Sequence, residues 1–145
     1  MRKKHIWSAR AENSGREAVS RSPKALQEAC FEYFEWNENN PFEEEHLFQY
    51  QGEIVKGQKS KPRAMTINSL CMFLDIAVGE WNKFKEDPEL ADICTMVSAA
   101  IYDQKFTGAA SNFFNASLIA RDLGLKDTQE HQLVQVTIEG KDADL

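Results

Sequence analysis

Histidine, cysteine and glutamate are the side chains of this sequence whose chemistry could support catalysis or metal binding. The three histidines, His5, His46 and His131, are scattered, and none has a second His or a Cys at the spacing of a metal site. The run Glu43-Glu44-Glu45-His46 is interpreted as solvated charge rather than as a ligand set. The sequence also contains no Gly-rich phosphate loop. We therefore expect no enzyme activity, no metal and no cofactor.

Three cysteines, Cys30, Cys71 and Cys94, are an odd number without a CxxC pair. Each lies in an apolar stripe, where cysteine is usually inert packing, so we interpret them as reduced thiols. The sequence shows neither a signal-peptide pattern nor an apolar run of membrane-spanning length. These features predict a soluble protein of the cytoplasm without a membrane partner.

Positive charge is concentrated in two segments, although the chain as a whole carries a net charge of −6. Residues 1–24 hold seven Lys or Arg against two Glu, a net of +5, and residues 54–63 hold four cations and no acid. The first segment is typical either of a solvated arm or of an arm that contacts DNA phosphates. The cations are Arg2, Lys3, Lys4, Arg10, Arg16, Arg21 and Lys24 in the first segment, and Lys56, Lys59, Lys61 and Arg63 in the second.

A helix and a hairpin are predicted in the first half of the chain. Ser22 can cap a helix whose first turn holds Pro23, and apolar residues follow at helical spacing. Gly52 separates two runs of strand-type residues, 45–50 and 53–58, and permits the positive φ of a tight turn. Because a lone two-stranded hairpin is marginal in water, we expect it to pack on another surface or to be supported by a neighbour.

Amphipathic helices are predicted in the second half. The apolar positions from Leu70 to Phe84 indicate a helix-turn-helix in which Gly79 breaks the pattern, although the second helix offers only Lys83 and Lys85 to a phosphate backbone. A longer pattern over residues 87–124 predicts two helices. Gly108 marks either a break or a close helix approach, and we favour a kink there. The apolar surface of this region exceeds what so few helices can bury, so we expect subunit contacts.

The last apolar segment, residues 133–138, predicts a strand with Val134, Val136 and Ile138 on one face. No second strand lies near it in sequence, so it pairs either with the distant hairpin or with the same strand of other subunits. Closure of several copies into a barrel would remove every edge, which favours a ring. The predicted fold is mainly α, with residues 1–21 as a flexible basic arm, 22–126 as a helical core with a β-hairpin at about 45–58, and 127–145 as a C-terminal strand and acidic tail.

The stretch from Ser22 to Lys126 resembles the small terminase subunit of short-tailed, headful-packaging bacteriophages. The strings that carry the resemblance are Ser22-Pro23, Ala29-Cys30, Glu32-Tyr33-Phe34-Glu35-Trp36, Tyr50-Gln51-Gly52-Glu53, Arg63-Ala64-Met65-Thr66, Ile101-Tyr102-Asp103-Gln104-Lys105-Phe106, Gly108-Ala109-Ala110 and Ile119-Ala120-Arg121-Asp122-Leu123-Gly124-Leu125-Lys126.

The resemblance implies a helical subunit with a projecting hairpin, assembled into a ring of roughly nine copies with an intersubunit β-barrel at one end. It implies binding of double-stranded phage DNA at the packaging-initiation sequence. It also implies a partner, the large terminase subunit, whose ATPase and nuclease the small subunit modulates in the host cell cytoplasm.

One departure concerns DNA binding, which in one member of that family is attributed to a strongly basic carboxyl tail. Residues 127–145 carry five acids against one Lys, so this tail would repel phosphate. The eleven cations named above, on the arm and the hairpin limb, are therefore the predicted DNA contacts. Two alternatives remain: a protein-interaction ring with only non-specific DNA contact, and a helix-turn-helix transcription regulator based on Leu70 to Phe84.

Overall fold

The structure is a computed structural model that describes residues 5–126. The prediction of a mainly helical chain with a two-stranded antiparallel hairpin is confirmed. The predicted strand at 133–138, with Val134, Val136 and Ile138, lies outside the described residues, as do Arg2, Lys3 and Lys4. A 3-10 turn at Ile6–Ser8 precedes α1 (Arg16–Val19), α2 (Pro23–Asn39), β1 (Phe42–Tyr50), β2 (Glu53–Lys61), α3 (Ile67–Leu74), α4 (Val78–Glu86), α5 (Ala91–Ala110) and α6 (Ala116–Asp122).

Helix α2 forms where its cap and apolar period predict it. The Ser22 hydroxyl accepts a hydrogen bond from the Ala25 amide at 3.1 Å, and Pro23 occupies the first turn. The inner face of α2 buries Leu26, Ala29, Cys30 and Tyr33. This face packs with residues of α3, α4 and α5 in one hydrophobic core, which includes Leu70, Leu74, Trp81, Cys94, Val97 and Ile101.

Residues 5–21, which belong to the segment predicted to be a flexible arm, contact the helical core. From His5 onward the described part of this segment is folded against the core, with Ala11 and Val19 buried. The Ala11 amide donates to the Phe73 carbonyl at 3.3 Å, and the Gly15 amide donates to the Leu74 carbonyl at 2.7 Å. These bonds satisfy carbonyls at the end of α3 that the helix cannot satisfy itself, which explains why so polar a segment is ordered.

The hairpin is confirmed, and each strand extends three residues further at the root than the predicted 45–58, to Phe42 and to Lys61. Gln51 and Gly52 both have positive φ, 49° and 81°, as a two-residue turn between right-twisted strands requires. Each nine-residue strand has a single half-buried position, His46 in β1 and Gly57 in β2, and the other positions are exposed. The hairpin therefore projects from the helical body as a two-sided ribbon.

Helices α3 and α4 are in contact across a short turn at residues 75–77, at the position of the predicted helix-turn-helix. Asp75 ends α3 in the left-handed conformation, with φ 59°, and the Ile76 amide donates to the Cys71 carbonyl at 3.0 Å. Trp81 and Phe84 of α4 are buried in the core beside α3. Gly79 does not break the pattern as predicted, because α4 begins one residue before it and includes it.

The predicted kink near Gly108 is wrong, because α5 runs through that residue to Ala110. The chain breaks at residues 111–115, where Asn112 has a φ of 62° and Asn115 caps α6. Gly108 makes a close contact of another kind than the predicted helix approach: a Cβ at this position would overlap the ring of Phe114, which lies in the segment between α5 and α6. Among residues 5–126, none of the helices combines the length and the apolar character that a bilayer crossing requires.

Candidate nucleic-acid interface

The basic arm lies against the helix-turn-helix, so the two candidate DNA elements form one surface. Arg10 forms an ion pair with Asp75, the residue in the turn between α3 and α4, at 3.1 Å. Arg16 of α1 forms an ion pair with Glu80 of α4 at 2.9 Å. The backbone bonds of Ala11 and Gly15 to the end of α3 fix this arrangement.

Helix α4 adds two cations to the surface. Lys83 lies 3.4 Å from Glu80, so this carboxylate is shared between Lys83 and Arg16. Lys85 is exposed on the same short helix. Arg16 and Lys83 therefore lie on either side of one carboxylate, a juxtaposition that the sequence does not reveal because the two residues are 67 positions apart.

Two other predicted cations lie at the end of the arm and at the start of α2. Arg21 is exposed and forms no ion pair within residues 5–126. Lys24, in the first turn of α2, lies 3.9 Å from Glu28 at an exposed i,i+4 spacing. The Arg21 guanidinium is therefore accessible to a phosphate. The Lys24 ammonium is accessible as well, because an exposed pair such as Lys24–Glu28 contributes at most about 1 kcal/mol.

The hairpin cations are matched by acids across the ladder. Lys59 stands opposite Glu44, and Lys61 forms an ion pair with the same Glu44. Lys56 lies 3.6 Å from Glu45. Hydrogen bonds from Lys61 and then from His46 lower the pKa of the Glu44 carboxyl, so the acid stays ionised beside them. Antiparallel pairing around Gln51-Gly52 thus brings the acid-rich strand β1 against the basic strand β2.

Arg63, the last of the predicted DNA contacts, packs against aromatic rings and forms a hydrogen bond at the root of the hairpin. Its guanidinium lies 4.0 Å from the Phe42 ring centroid and 5.3 Å from that of Trp36. Its Nε–H donates to the Asn40 carbonyl at 2.9 Å. Gln104 of α5 also holds this segment, because its amide donates to the Arg63 carbonyl at 2.9 Å and accepts from the Met65 amide at 3.0 Å. Arg63 therefore joins the hairpin to the helical body.

The three thiols are buried and free. Burial raises the pKa of Cys30 to about 12, with smaller contributions from Cys94 and Cys71. Burial likewise raises the pKa of Cys71 and of Cys94 to about 11. A nucleophilic cysteine needs the opposite shift, because the thiolate is the reactive form. In residues 5–126, His, Cys, Asp and Glu form no group of three that could hold a metal ion.

Comparison with known proteins identifies the family. The DNA-packaging protein gp3 family matches residues 15–131 of this chain. The terminase small subunit of Salmonella phage P22 is 44% identical to the chain over 139 residues, which cover 96% of this chain and 84% of that protein. The match includes the arm from Gly15 onward, the helix-turn-helix and the hairpin. The resemblance inferred from the sequence is confirmed: the chain belongs to the DNA-packaging protein gp3 family of phage small terminase subunits.

Proposed function

We propose that this protein is a non-catalytic adaptor that binds double-stranded phage DNA and presents it to the large terminase subunit in the host cell cytoplasm. The observation that carries the proposal is the docking of the basic arm on the helix-turn-helix through Arg10–Asp75 and Arg16–Glu80. In this arrangement Arg16 of the arm and Lys83 of α4 lie beside the same carboxylate, and both side chains are exposed. Membership of a DNA-packaging family supports the same function.

The acid that pairs with Arg10 does not prevent phosphate binding. Arg10 and Asp75 are each nearly half exposed, so their pair contributes at most about 1 kcal/mol and a DNA phosphate can replace the carboxylate. The Arg16 side chain is more than half exposed but Glu80 is only 20% exposed, so Arg16 would contact a phosphate while it keeps this carboxylate as a partner. Each phosphate contact also releases condensed counterions from the DNA, which favours binding at low salt.

The proposed site consists of the arm cations, with Arg2, Lys3 and Lys4 preceding the described residues, and the hairpin cations as a second contact. Ring assembly of roughly nine copies, with Val134, Val136 and Ile138 between subunits, would repeat the site around the oligomer and raise its affinity. The hairpin contact requires that local ion pairs be replaced, because Lys56 is paired with Glu45 and Lys61 with Glu44.

The test is fluorescence anisotropy of labelled duplex DNA over a series of salt concentrations. The Arg10→Ala, Arg16→Ala double variant should bind more weakly, and its log-affinity against log-salt slope should fall by about 1 for each phosphate that is no longer neutralised. A double variant of the hairpin, Lys56→Ala with Lys59→Ala, should flatten the slope only if the hairpin also contacts DNA. The matched control is Arg121→Ala, an exposed cation at the end of α6 that should leave binding unchanged.

Two outcomes would contradict the proposal. Wild-type affinity and slope in the Arg10, Arg16 variant would remove the arm from the site and favour the interaction ring with non-specific DNA contact. ATP hydrolysis or DNA cleavage by the purified chain, surviving repurification, would contradict a non-catalytic adaptor. The expected result is that the chain alone does neither, yet changes both rates when the large subunit is added.

A further inference from the structure

A cavity opens between the end of α2, the root of the hairpin and α5. Its volume is about 490 Å³, within the range of sites that hold small ligands. Apolar side chains form most of its wall: Phe34, Pro41, Pro62 and Met65. None of the residues that line it belongs to the arm or to α4, so the cavity is separate from the surface that carries Arg10 and Arg16.

Asn37, in the last turn of α2, brings an unpaired donor to this cavity. Asn37 lines the cavity and is only 4% exposed. Its amide nitrogen Nδ2 is buried and has no hydrogen-bond acceptor within residues 5–126. Buried polar groups in proteins are almost always hydrogen-bonded, so an acceptor must come from outside the described chain, from water or from a ligand in the cavity.

Arg63 adds a second donor group to the wall and is held in a fixed position. Its Nε–H donates to the Asn40 carbonyl at 2.9 Å, and its guanidinium packs on two aromatic rings. The Nη atoms have no acceptor within residues 5–126. Gln104 holds this wall from α5, because its amide already bonds to the backbone of Arg63 and of Met65. A wall fixed in this way loses little freedom when a ligand binds.

The charges at the cavity favour a neutral ligand. Glu38 lines the same cavity, is exposed and forms no ion pair within residues 5–126. A carboxylate or a phosphate in the cavity would face Glu38, and an amine would face Arg63, so either charge meets a like charge. A peptide unit avoids both costs, because its carbonyl oxygen can accept from Asn37 and its N–H can donate to Glu38.

We propose that this cavity binds a linear, uncharged segment of a partner protein through one apolar side chain and the peptide units beside it. The apolar side chain packs against the wall formed by Phe34, Pro41, Pro62 and Met65. A carbonyl of the segment accepts from Asn37 Nδ2, and an N–H of the segment donates to Glu38. The site is a protein-binding function in addition to the proposed binding of DNA.

The probe is N-acetyl-leucine-N-methylamide, which has one aliphatic side chain, two peptide units and no charge. NMR of the full-length protein with labelled methionine methyl groups reports binding, because Met65 lines the cavity and Met72 and Met96 do not. The Met65 resonance should shift with a Kd of about 1 mM, the scale for a ligand of about 13 non-hydrogen atoms. The Met72 and Met96 resonances should stay in place. N-acetylglycine-N-methylamide lacks the aliphatic side chain and should bind at least about tenfold more weakly.

Two variants test the polar partners, each with a matched control on α2. Asn37→Ala removes the buried donor and should weaken binding of the probe by about tenfold, whereas Asn39→Ala changes an exposed residue outside the cavity. Glu38→Ala removes the acceptor and should weaken binding by about threefold, whereas Glu35→Ala makes the same change one turn earlier. Both controls should bind as wild type. Circular dichroism checks folding, and the exposed Glu38 and Glu35 positions keep the test valid if Asn37→Ala does not fold.

Two charged analogues of the probe test the choice of a neutral ligand. N-acetyl-leucine replaces one peptide unit by a carboxylate, and leucine-N-methylamide replaces the other by an ammonium. Each should bind more weakly than the probe, by about threefold or more.

Three results would overturn the proposal: no shift of the Met65 resonance with the probe, wild-type affinity in Glu38→Ala or in a folded Asn37→Ala, or tighter binding of either charged analogue. The last result would make the cavity a site for an anion or an amine. The assay contains no DNA, so its outcome is independent of the DNA-binding test.

Discussion

Replacing Gly108 by Ala should destabilise the protein, although the same change in a free helix is favourable. Gly108 lies in α5, two residues before its end, and a Cβ there would lie 2.2 Å from both Cδ2 and Cε2 of Phe114. Atoms at that separation overlap, so the ring must move. Phe114 cannot move easily, because the amides of Phe113 and Phe114 both donate to the Gly108 carbonyl, at 2.9 and 3.2 Å.

Two opposing terms set the magnitude. Alanine gains about 1 kcal/mol over glycine in a helix interior, and less near the helix end. Forcing atoms into an occupied space costs about 1–3 kcal/mol, and here it also separates α6 from α5. We expect a net loss of about 1–2 kcal/mol, which lowers Tm by roughly 3–8 °C for a chain of this size. Hydrogen exchange should show the loss concentrated in α6 (Ala116–Asp122).

Gly79 provides the matched control. It also lies in a helix, its φ is not positive, and a Cβ there would meet nothing within 4 Å. Gly79→Ala should therefore raise the free energy of unfolding by about 0.5 kcal/mol through the unfolded state. Both variants are compared by thermal unfolding at one protein concentration, since assembly makes Tm concentration-dependent. A Gly108→Ala variant as stable as Gly79→Ala, with unchanged exchange in α6, would refute the close contact with Phe114.

Two further perturbations test the core and the α5–α6 junction. Burial raises the pKa of Cys30 from 9.0 to about 12, so the thiol of the unfolded chain loses its proton at a lower pH than that of the folded chain. The free energy of unfolding should therefore be constant below about pH 9 and fall as the pH rises toward 12. In thermal melts, Cys30→Ala should lose less stability than the wild type over this alkaline range. Lys105 is 8% exposed and lies 2.6 Å from Asp122, whose side chain is 48% exposed. Asp122→Asn removes the charge of the only ion-pair partner that this ammonium has within residues 5–126, and it should cost about 1–3 kcal/mol in urea unfolding. Lys105→Met should cost about 1 kcal/mol or less. Equal losses from the two substitutions would contradict this account of the pair.

The elements that the sequence predicts correctly depend on local signals. Ser22 and Pro23 define the start of α2, and Gly52 defines the hairpin turn, because each acts on backbone within a few residues. Asn112 and Gly124 both end helices in the left-handed conformation, but the sequence predicts only the end near Gly124, since asparagine is a weaker signal than glycine.

The features that the sequence does not reveal depend on distant partners. The arm is held by backbone hydrogen bonds from Ala11 and Gly15 to the end of α3, about 60 residues further along the chain. Backbone hydrogen bonds of this kind do not depend on particular side chains, so the sequence does not reveal them. Arg63 counts as a free cation in a charge map, yet the structure places it against Trp36 and Phe42. The pairing of Lys59 with Glu44 is predictable in principle, because a two-residue turn at Gln51-Gly52 fixes the register of the ladder.

These environments divide the cations of the described chain into those that can exchange partners and those that cannot. Lys105 is almost completely buried against Asp122, and Arg63 holds the hairpin root, so releasing either would cost packing as well as charge pairing. Arg10 is exposed and is paired with Asp75, which is also nearly half exposed. Exchange of this carboxylate for a phosphate would cost little and would leave the arm's backbone bonds to α3 in place. Arg16 is exposed too, and it can contact a phosphate while it remains paired with the less exposed Glu80. A net charge of −6 is therefore compatible with a DNA partner, because affinity depends on which cations can be released to phosphate and not on the sum of charges.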